Sequence, residues 1–283
     1  MAIEYVKDSF PTYLGLKSKI SASDVKNFLK SPRYYYYQKY ERVKKSSEDE
    51  RHFIVGSALH EMVLEPNEFN KHYVVSPKFD RRTSEGKKSY EDFLQEAGDR
   101  AVLTEDEIDI INKVADSVIR SKGAGELIGN SYKELSIYTK DEESGLNIRL
   151  RPDIYPKTMS TIADLKTCIN SSPRGFKSDV YSYGYGITAA FYMDFAKREN
   201  YVFIACEKIA PYQVSLFVLA DDIIDHARKQ YRMALDLLKW SYEKNYWCNY
   251  VEFEILQECY ELGNLDQFFD IKDNFGAQIS IIK

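Results

Sequence analysis

Cysteine is scarce. The four in this 283-residue chain stand at positions 168, 206, 248 and 259. No two are separated by the two to four residues that zinc or iron–sulfur ligation uses. Four thiols in a chain of this size read as buried side chains in a reducing compartment, not as a disulfide frame. Long apolar runs are also missing. The longest, Tyr201 to Cys206, has six residues, far short of a membrane span. The opening Met-Ala-Ile-Glu-Tyr-Val-Lys-Asp lacks the apolar stretch of a signal peptide. These absences predict a soluble, cytoplasmic protein. There is no surplus of positive charge either. The 39 basic and 44 acidic residues leave a net charge of -5, which excludes a uniformly basic coat for nucleic acid but not a local basic channel. No repeat and no Gly/Ser/Pro-rich linker divides the chain. We therefore expect one domain over 1–283, with a core about 52–247, a tyrosine-rich N-terminal extension 1–51 and a tail 248–283.

What is present is an ordinary globular mixture, 44% apolar and 29% charged, with an unusual 23 tyrosines. A chain this long buries roughly three-quarters of its unfolded surface, so it needs no staples. Ser21 and Ser23 offer N-caps for a short helix ending near Ser31-Pro32. Phe53 to Leu64 reads as a helix, and polar stretches follow at Pro77–Lys88 and Gly98–Thr104. Thr104 to Glu107 is a capping box leading into Ile108, Ile111, Val114, Ala115 and Val118 at helical spacing. The period then changes to two. Strands are predicted around Leu135–Tyr138, at Asn147–Tyr155 and at Thr161–Cys168. Tyr185–Lys197 reads as a helix, Tyr201–Glu207 and Gln213–Leu219 as strands, and a long helix follows Asp221 or Asp222. The tail adds a predicted strand at Val251–Ile255 and a short helix. This order predicts an α/β fold with a mixed central β-sheet flanked by helices.

Arg151-Pro152-Asp153 and Asp164-Leu165-Lys166-Thr167 carry the chemistry. If the strands on either side of Lys157–Ser160 form a hairpin, Pro156 faces Thr161 and Asp153 faces Asp164. Directly opposed residues share one sheet face, with Cβ atoms about 5 Å apart. Lys166 lies on the same face, roughly 7 Å along the strand. Two opposed carboxylates repel unless a cation sits between them, and oxygen ligands favour a hard divalent ion, Mg²⁺ or Mn²⁺. The lysine can orient a metal-bound water or stabilise phosphoryl charge. Leu165 points to the other face, and its carbonyl stays available to the metal. The bland alternative is a solvated hairpin with surface charges, but Thr161-Ile162-Ala163 and Leu165 place Asp164 in a strand that reads as buried, where a charge needs a partner.

These residues resemble the PD-(D/E)XK nuclease superfamily. More narrowly, the chain is similar to the RecE-like exonucleases (exonuclease VIII), related to phage λ exonuclease and the RecB nuclease domain. Gly56-Ser57-Ala58-Leu59-His60 with Leu64-Glu65-Pro66, Asp164-Leu165-Lys166-Thr167 and Ala189-Ala190-Phe191-Tyr192 match that family's motifs, and the similarity spans roughly residues 20 to 250. The resemblance implies that His60, Asp153 and Asp164 ligate metal and that Lys166 is the catalytic lysine. It places Glu134 where related nucleases carry a further acid; a solvated Lys133-Glu134 pair is the other reading. It further implies a Mg²⁺-dependent exonuclease that digests duplex DNA ends 5′→3′ in phage or bacterial recombination and leaves 5′-phosphates. A single-strand annealing protein and a ring-shaped homo-oligomer are the implied partners. Gly56 and Ala58 are expected to let the His60 helix pack closely.

One position departs from the family. Where it places Gln and Tyr four apart, this chain has Thr188 and Tyr192, a change that bears on substrate positioning but removes no metal ligand. Arg33, the run Tyr34–Tyr37 including Tyr36, Lys39 and Arg42 mix cations with flat rings, a composition suited to single strands or frayed ends. A tyrosine-rich helix packed on the sheet is the alternative there. Arg174 and Lys177 follow the Asp-Leu-Lys-Thr strand within expected reach of a scissile phosphate. Two other readings of the whole remain open: a nucleolytically silent DNA-binding protein on this fold, and an endonuclease.

Overall fold

A computed structural model describes residues 3–42 and 47–274. Its strands, in chain order, are β1 (Glu4–Val6), β2 (Tyr73–Ser76), β3 (Ala101–Thr104), β4 (Ser131–Lys133), β5 (Ser136–Lys140), β6 (Asn147–Leu150), β7 (Ile154–Pro156), β8 (Thr161–Cys168), β9 (Asn200–Glu207) and β10 (Val214–Phe217). Helices α1 (Phe10–Gly15), α2 (Ala22–Lys30) and α3 (Pro32–Tyr36) precede a π-helical turn at Tyr37–Glu41. Then come α4 (Ser47–Leu64), α5 (Phe69–His72), α6 (Ser84–Ala97), α7 (Glu105–Arg120), α8 (Lys122–Gly129), α9 (Pro173–Ser182), α10 (Tyr185–Ala196), α11 (Asp221–Lys244), α12 (Tyr250–Glu261) and α13 (Phe268–Asn274).

The central sheet has five strands in the order β10-β9-β8-β7-β4. It is mixed: β8 and β9 run parallel, and the other neighbours are antiparallel. A parallel pair needs a crossover, and α9 with α10 supplies it. Period-two patterning gives the sheet two apolar faces. On one, Ile162, Phe203 and Ala205 pack with Phe28 of α2, Phe191 of α10 and Leu235 and Leu238 of α11. On the other, Ala163, Leu165, Ile204 and Cys206 meet Ala58 and Leu59 of α4 and Val114 and Val118 of α7. Each large side chain so buried contributes about 1.5–3 kcal/mol. The expected mixed α/β architecture is the one observed.

The structure differs from the sequence reading in four places. The strand expected over 147–155 is two strands, β6 and β7, in different sheets, because Pro152 has no N–H for the ladder. The tail strand expected at Val251–Ile255 is the helix α12. Asn249 and Glu252 form a reciprocal capping box there, and Phe253, Leu256 and Cys259 bury one helical face. The polar stretch at 98–104 ends in β3, paired in parallel with β2. The stretch at 77–88 runs into α6, which Thr83 caps by accepting from the Gly86 N–H. Lys44 and Lys45, the last basic residues of the tyrosine-rich segment 33–45, lie outside the described residues.

Candidate active site

The site is built where two strand pairs break at the same level. β4 pairs with β7 in the register Lys133↔Ile154, and β5 pairs with β6 in the register Ile137↔Leu150. These are one register, continued across the interruption. It sets Glu134 opposite Asp153, and the Glu134 N–H still donates to the Asp153 carbonyl at 3.1 Å. On the other side β7 and β8 pair as Ile154↔Ala163, so the next position outward sets Asp153 opposite Asp164. Three acids therefore stand abreast on neighbouring backbones. Glu134 adopts a φ of +49°, a left-handed conformation that costs a non-glycine residue about 1 kcal/mol or more. Strain of this kind concentrates at functional sites.

His60, from the fourth turn of α4, completes a cluster. Ligand atoms of His60, Glu134 and Asp153 all lie within 4.8 Å of one another. His60 Nδ1 is 3.6 Å from Asp153 Oδ2, which also accepts from the Leu165 N–H at 2.8 Å. Asp164 is 4% exposed and forms an ion pair with Lys166. Lys166 Nζ lies 5.4 Å from the centre of the Tyr185 ring. The metal group expected from sequence was His60, Asp153, Asp164 and the Leu165 carbonyl. The structure gathers His60 and Asp153 with Glu134, and it holds Asp164 on the lysine.

The electrostatics fit a cation. Burial, then the neighbouring Asp164 charge, pushes the Asp153 carboxyl well above its ordinary value. Burial raises Glu134 too, against the pull of the Arg151 guanidinium. Burial and the Lys166 charge lower His60 to about 4, which leaves its imidazole neutral near pH 7 and able to ligate. Burial alone would lower Lys166, but Asp164 and Asp153 outweigh it and hold the ammonium above the ordinary lysine value. One imidazole and two crowded carboxylates form a donor set suited to a divalent metal. Arg151 is the residue sequence reasoning missed. It donates to Glu134 Oε2 at 2.8 Å, to the Asp8 carbonyl at 3.0 Å and to Ser136 Oγ at 3.0 Å. The signal was present: in the shared register Arg151 falls opposite Ser136, two residues from Glu134 on the same face.

The sequence from residue 21 to 257 matches the family described as "PDDEXK-like domain of unknown function (DUF3799)". The chain belongs to this PDDEXK-like family. No curated protein matches it. Among solved structures, a proposed exonuclease from Eubacterium rectale is similar at 15% identity and a TM-score of 0.56, over 81% of this chain and 84% of the other. A phage-related exonuclease from Haemophilus somnus (14% identity, TM-score 0.32, 67% and 95% covered) and an alkaline exonuclease from Laribacter hongkongensis (10%, 0.30, 84% and 97%) also align. At these identities the first likeness speaks for the fold. The family assignment agrees with the superfamily resemblance carried by Pro152-Asp153 and Asp164-Leu165-Lys166.

Around the PDDEXK-like centre lies an open cleft of about 2150 Å³, lined by His60, Glu134, Asp153, Arg151 and Tyr192 among others. The Tyr192 hydroxyl accepts from the Arg151 N–H at 3.4 Å, while the buried Thr188 hydroxyl has no hydrogen-bond partner among the described residues. Gly56 lines the cleft, and a Cβ built on it meets nothing within 4 Å, so the close packing expected there is not found; Ala58 is fully buried. Arg174 and Lys177 are exposed on α9 and do not line the cleft. Arg33 is exposed and forms a bidentate pair with Glu41. Tyr36 is half-buried, 4.8 Å from Trp247 and 5.1 Å from Tyr40 between ring centres. Lys39 is turned inward. It meets Asp24 at 3.2 Å and donates to the Lys19 carbonyl at 3.0 Å, so it ties the π-helical turn to α2 rather than facing a substrate.

Proposed function

We propose that the protein is a Mg²⁺-dependent deoxyribonuclease that hydrolyses phosphodiester bonds from duplex ends, 5′→3′, and leaves 5′-phosphates. The observation that carries this reading is the register placing Asp153 between Glu134 and Asp164, with His60 beside Glu134 and Asp153 in the cleft and Lys166 paired with Asp164. A bound Mg²⁺ or Mn²⁺ would polarise the phosphate and lower the pKa of a coordinated water. His60, Glu134 and Asp153 would hold it, with Asp164 and the Leu165 carbonyl beside them. Lys166, kept charged by its carboxylate neighbours, orients the nucleophile or stabilises negative charge on the phosphoryl oxygens. Tyr192 faces the same cleft and positions the substrate. A role in phage or bacterial recombination, with an annealing protein and a ring of subunits, belongs to the same proposal. No helix among the described residues is long and apolar enough to cross a membrane.

The test compares linear with closed circular duplex in Mg²⁺, in Mn²⁺ and in chelator. Degradation of linear DNA alone, abolished by chelator, is expected. Cutting of closed circles would make the protein an endonuclease. Binding with no cleavage in either metal would support a silent DNA-binding protein, the reading that Thr188 in the family's glutamine position favours. Asp164→Ala and Lys166→Ala should each lower the rate at least about 100-fold while the fold survives.

A further inference from the structure

Beyond the acids, the cleft has a wall of exposed rings and cations that the hydrolytic centre does not use. Tyr132 of β4 sits opposite Tyr155 of β7, two residues before Glu134 and on the same sheet face, so the wall begins roughly 7 Å from the acids. The Tyr155 hydroxyl meets that of Tyr5 at 3.2 Å, and their ring centres are 5.9 Å apart. Tyr155 is buried beneath, whereas Tyr5 and Tyr132 are 49% and 51% exposed. Two cations interleave with these rings. Arg198 stacks 4.0 Å over Tyr155, and Lys157 lies 4.8 Å from the centre of Tyr132. Lys133 is not offered to the wall, because its ammonium donates to the Ile128 and Ser131 carbonyls and to Ser131 Oγ. Among the described residues, neither Arg198 nor Lys157 pairs with a carboxylate at ion-pair distance.

Large exposed rings accept any base face, and cations left without carboxylates suit phosphates. We propose that this wall binds an unpaired stretch of DNA, its bases stacked on Tyr5 and Tyr132 and its phosphates met by Lys157 and Arg198. The inference rests on the nuclease reading for the identity of the ligand, and it names the part of the substrate the enzyme holds: a frayed or overhanging strand beside the bond to be cut.

The test is equilibrium binding in chelator, where hydrolysis does not intervene. Fluorescence anisotropy would compare a blunt duplex with the same duplex bearing a single-stranded overhang. The wild type should prefer the overhang by about tenfold or more, and Tyr5→Ala/Tyr132→Ala should lose about tenfold per ring for the overhang alone. Tyr132→Phe keeps a ring and should retain the preference, which separates lost stacking from lost folding. Lys157→Gln should flatten the logarithmic salt slope for the overhang by about 0.7. Equal affinity for both DNAs, or an alanine double variant that keeps the preference, overturns the proposal. So does a wild type that self-associates through this wall and becomes monomeric on the alanine substitutions while DNA preference stays the same. Absence of cleavage in Mg²⁺ and Mn²⁺ would sink the hydrolytic reading and leave the overhang preference standing, so the two failures are distinguishable.

Discussion

Asp153 is flanked by acids on both neighbouring strands, and its carboxyl is raised by burial and by Asp164. A folded-state pKa above the unfolded value means that the folded form binds the proton more readily. Its contribution to stability is full below the ordinary carboxylate range and is lost as pH rises through the raised value. Glu134 acts in the same direction. The metal-free protein is therefore weakened at neutral pH by its own site, and a divalent ion that binds the ionised carboxylates removes that deficit. In chelator at pH 7.5, Asp153→Asn should melt above the wild type. Mn²⁺ at about 100-fold over its Kd should stabilise the wild type by about 2.7 kcal/mol, roughly 5–10 °C in Tm, and should barely move the variant. The gain should shrink at pH 5. An equal Mn²⁺ response in the variant would remove Asp153 from the metal site. Gly56 allows a second test at this scale. It lies inside α4 with open space where a Cβ would go, so Gly56→Ala should stabilise the fold by about 1 kcal/mol, read as a rise in Tm. If the variant binds DNA less well despite that gain, the cleft at Gly56 is where the substrate passes.

At the scale of elements, the β7–β8 pairing was legible because a four-residue loop and period-two patterning leave one register that buries Ala163 and Leu165. That register places Asp153 against Asp164. The break between β6 and β7 was less legible. Pro152 signalled it, but the ladder resumes in the same register, so composition alone reads one long strand. The left-handed Glu134 had no signal at all, since no local preference asks an acid for φ +49°. The site thus lies where tertiary pairing overrides local propensity. In α12, the β-branched Val251 and Ile255 point towards a strand, and the Asn249/Glu252 box decides for a helix. Asn249→Ala should cost about 1 kcal/mol in denaturant melts, with α12 the first helix to lose amide protection. A variant as stable as the wild type would show that burial of Phe253, Leu256 and Cys259 holds the helix without its cap.

For the molecule as a whole, the three-stranded sheet that carries β5 and β6 must stay seated on the helical layer, or the acids lose their alignment. A polar clamp joins the two at one end. Asp141, at the turn after β5, accepts two hydrogen bonds from Arg232 of α11, at 2.9 and 2.6 Å, and also accepts from the Ser144 N–H at 2.8 Å. Burial works to raise this carboxyl, but Arg232 and Ser144 outweigh it and hold it below its ordinary value. The sign is opposite to that of Asp153. The clamp contributes fully above the ordinary Asp value of about 3.9 and is lost as pH falls through the lower folded value. Asp141→Asn removes the charge and leaves Arg232 poorly compensated, which costs about 3 kcal/mol for a buried pair. Urea melts should show that deficit undiminished from pH 7 to pH 5 and shrinking below pH 4, as the wild-type carboxylate takes up its proton. Because the clamp lies on α11, away from the acids, the same variant should keep the Mn²⁺ response of the wild type at temperatures where it is folded. If the deficit instead persists unchanged at pH 3, Asp141 acts through its shape and neutral hydrogen bonds, and its charge does not seat the sheet.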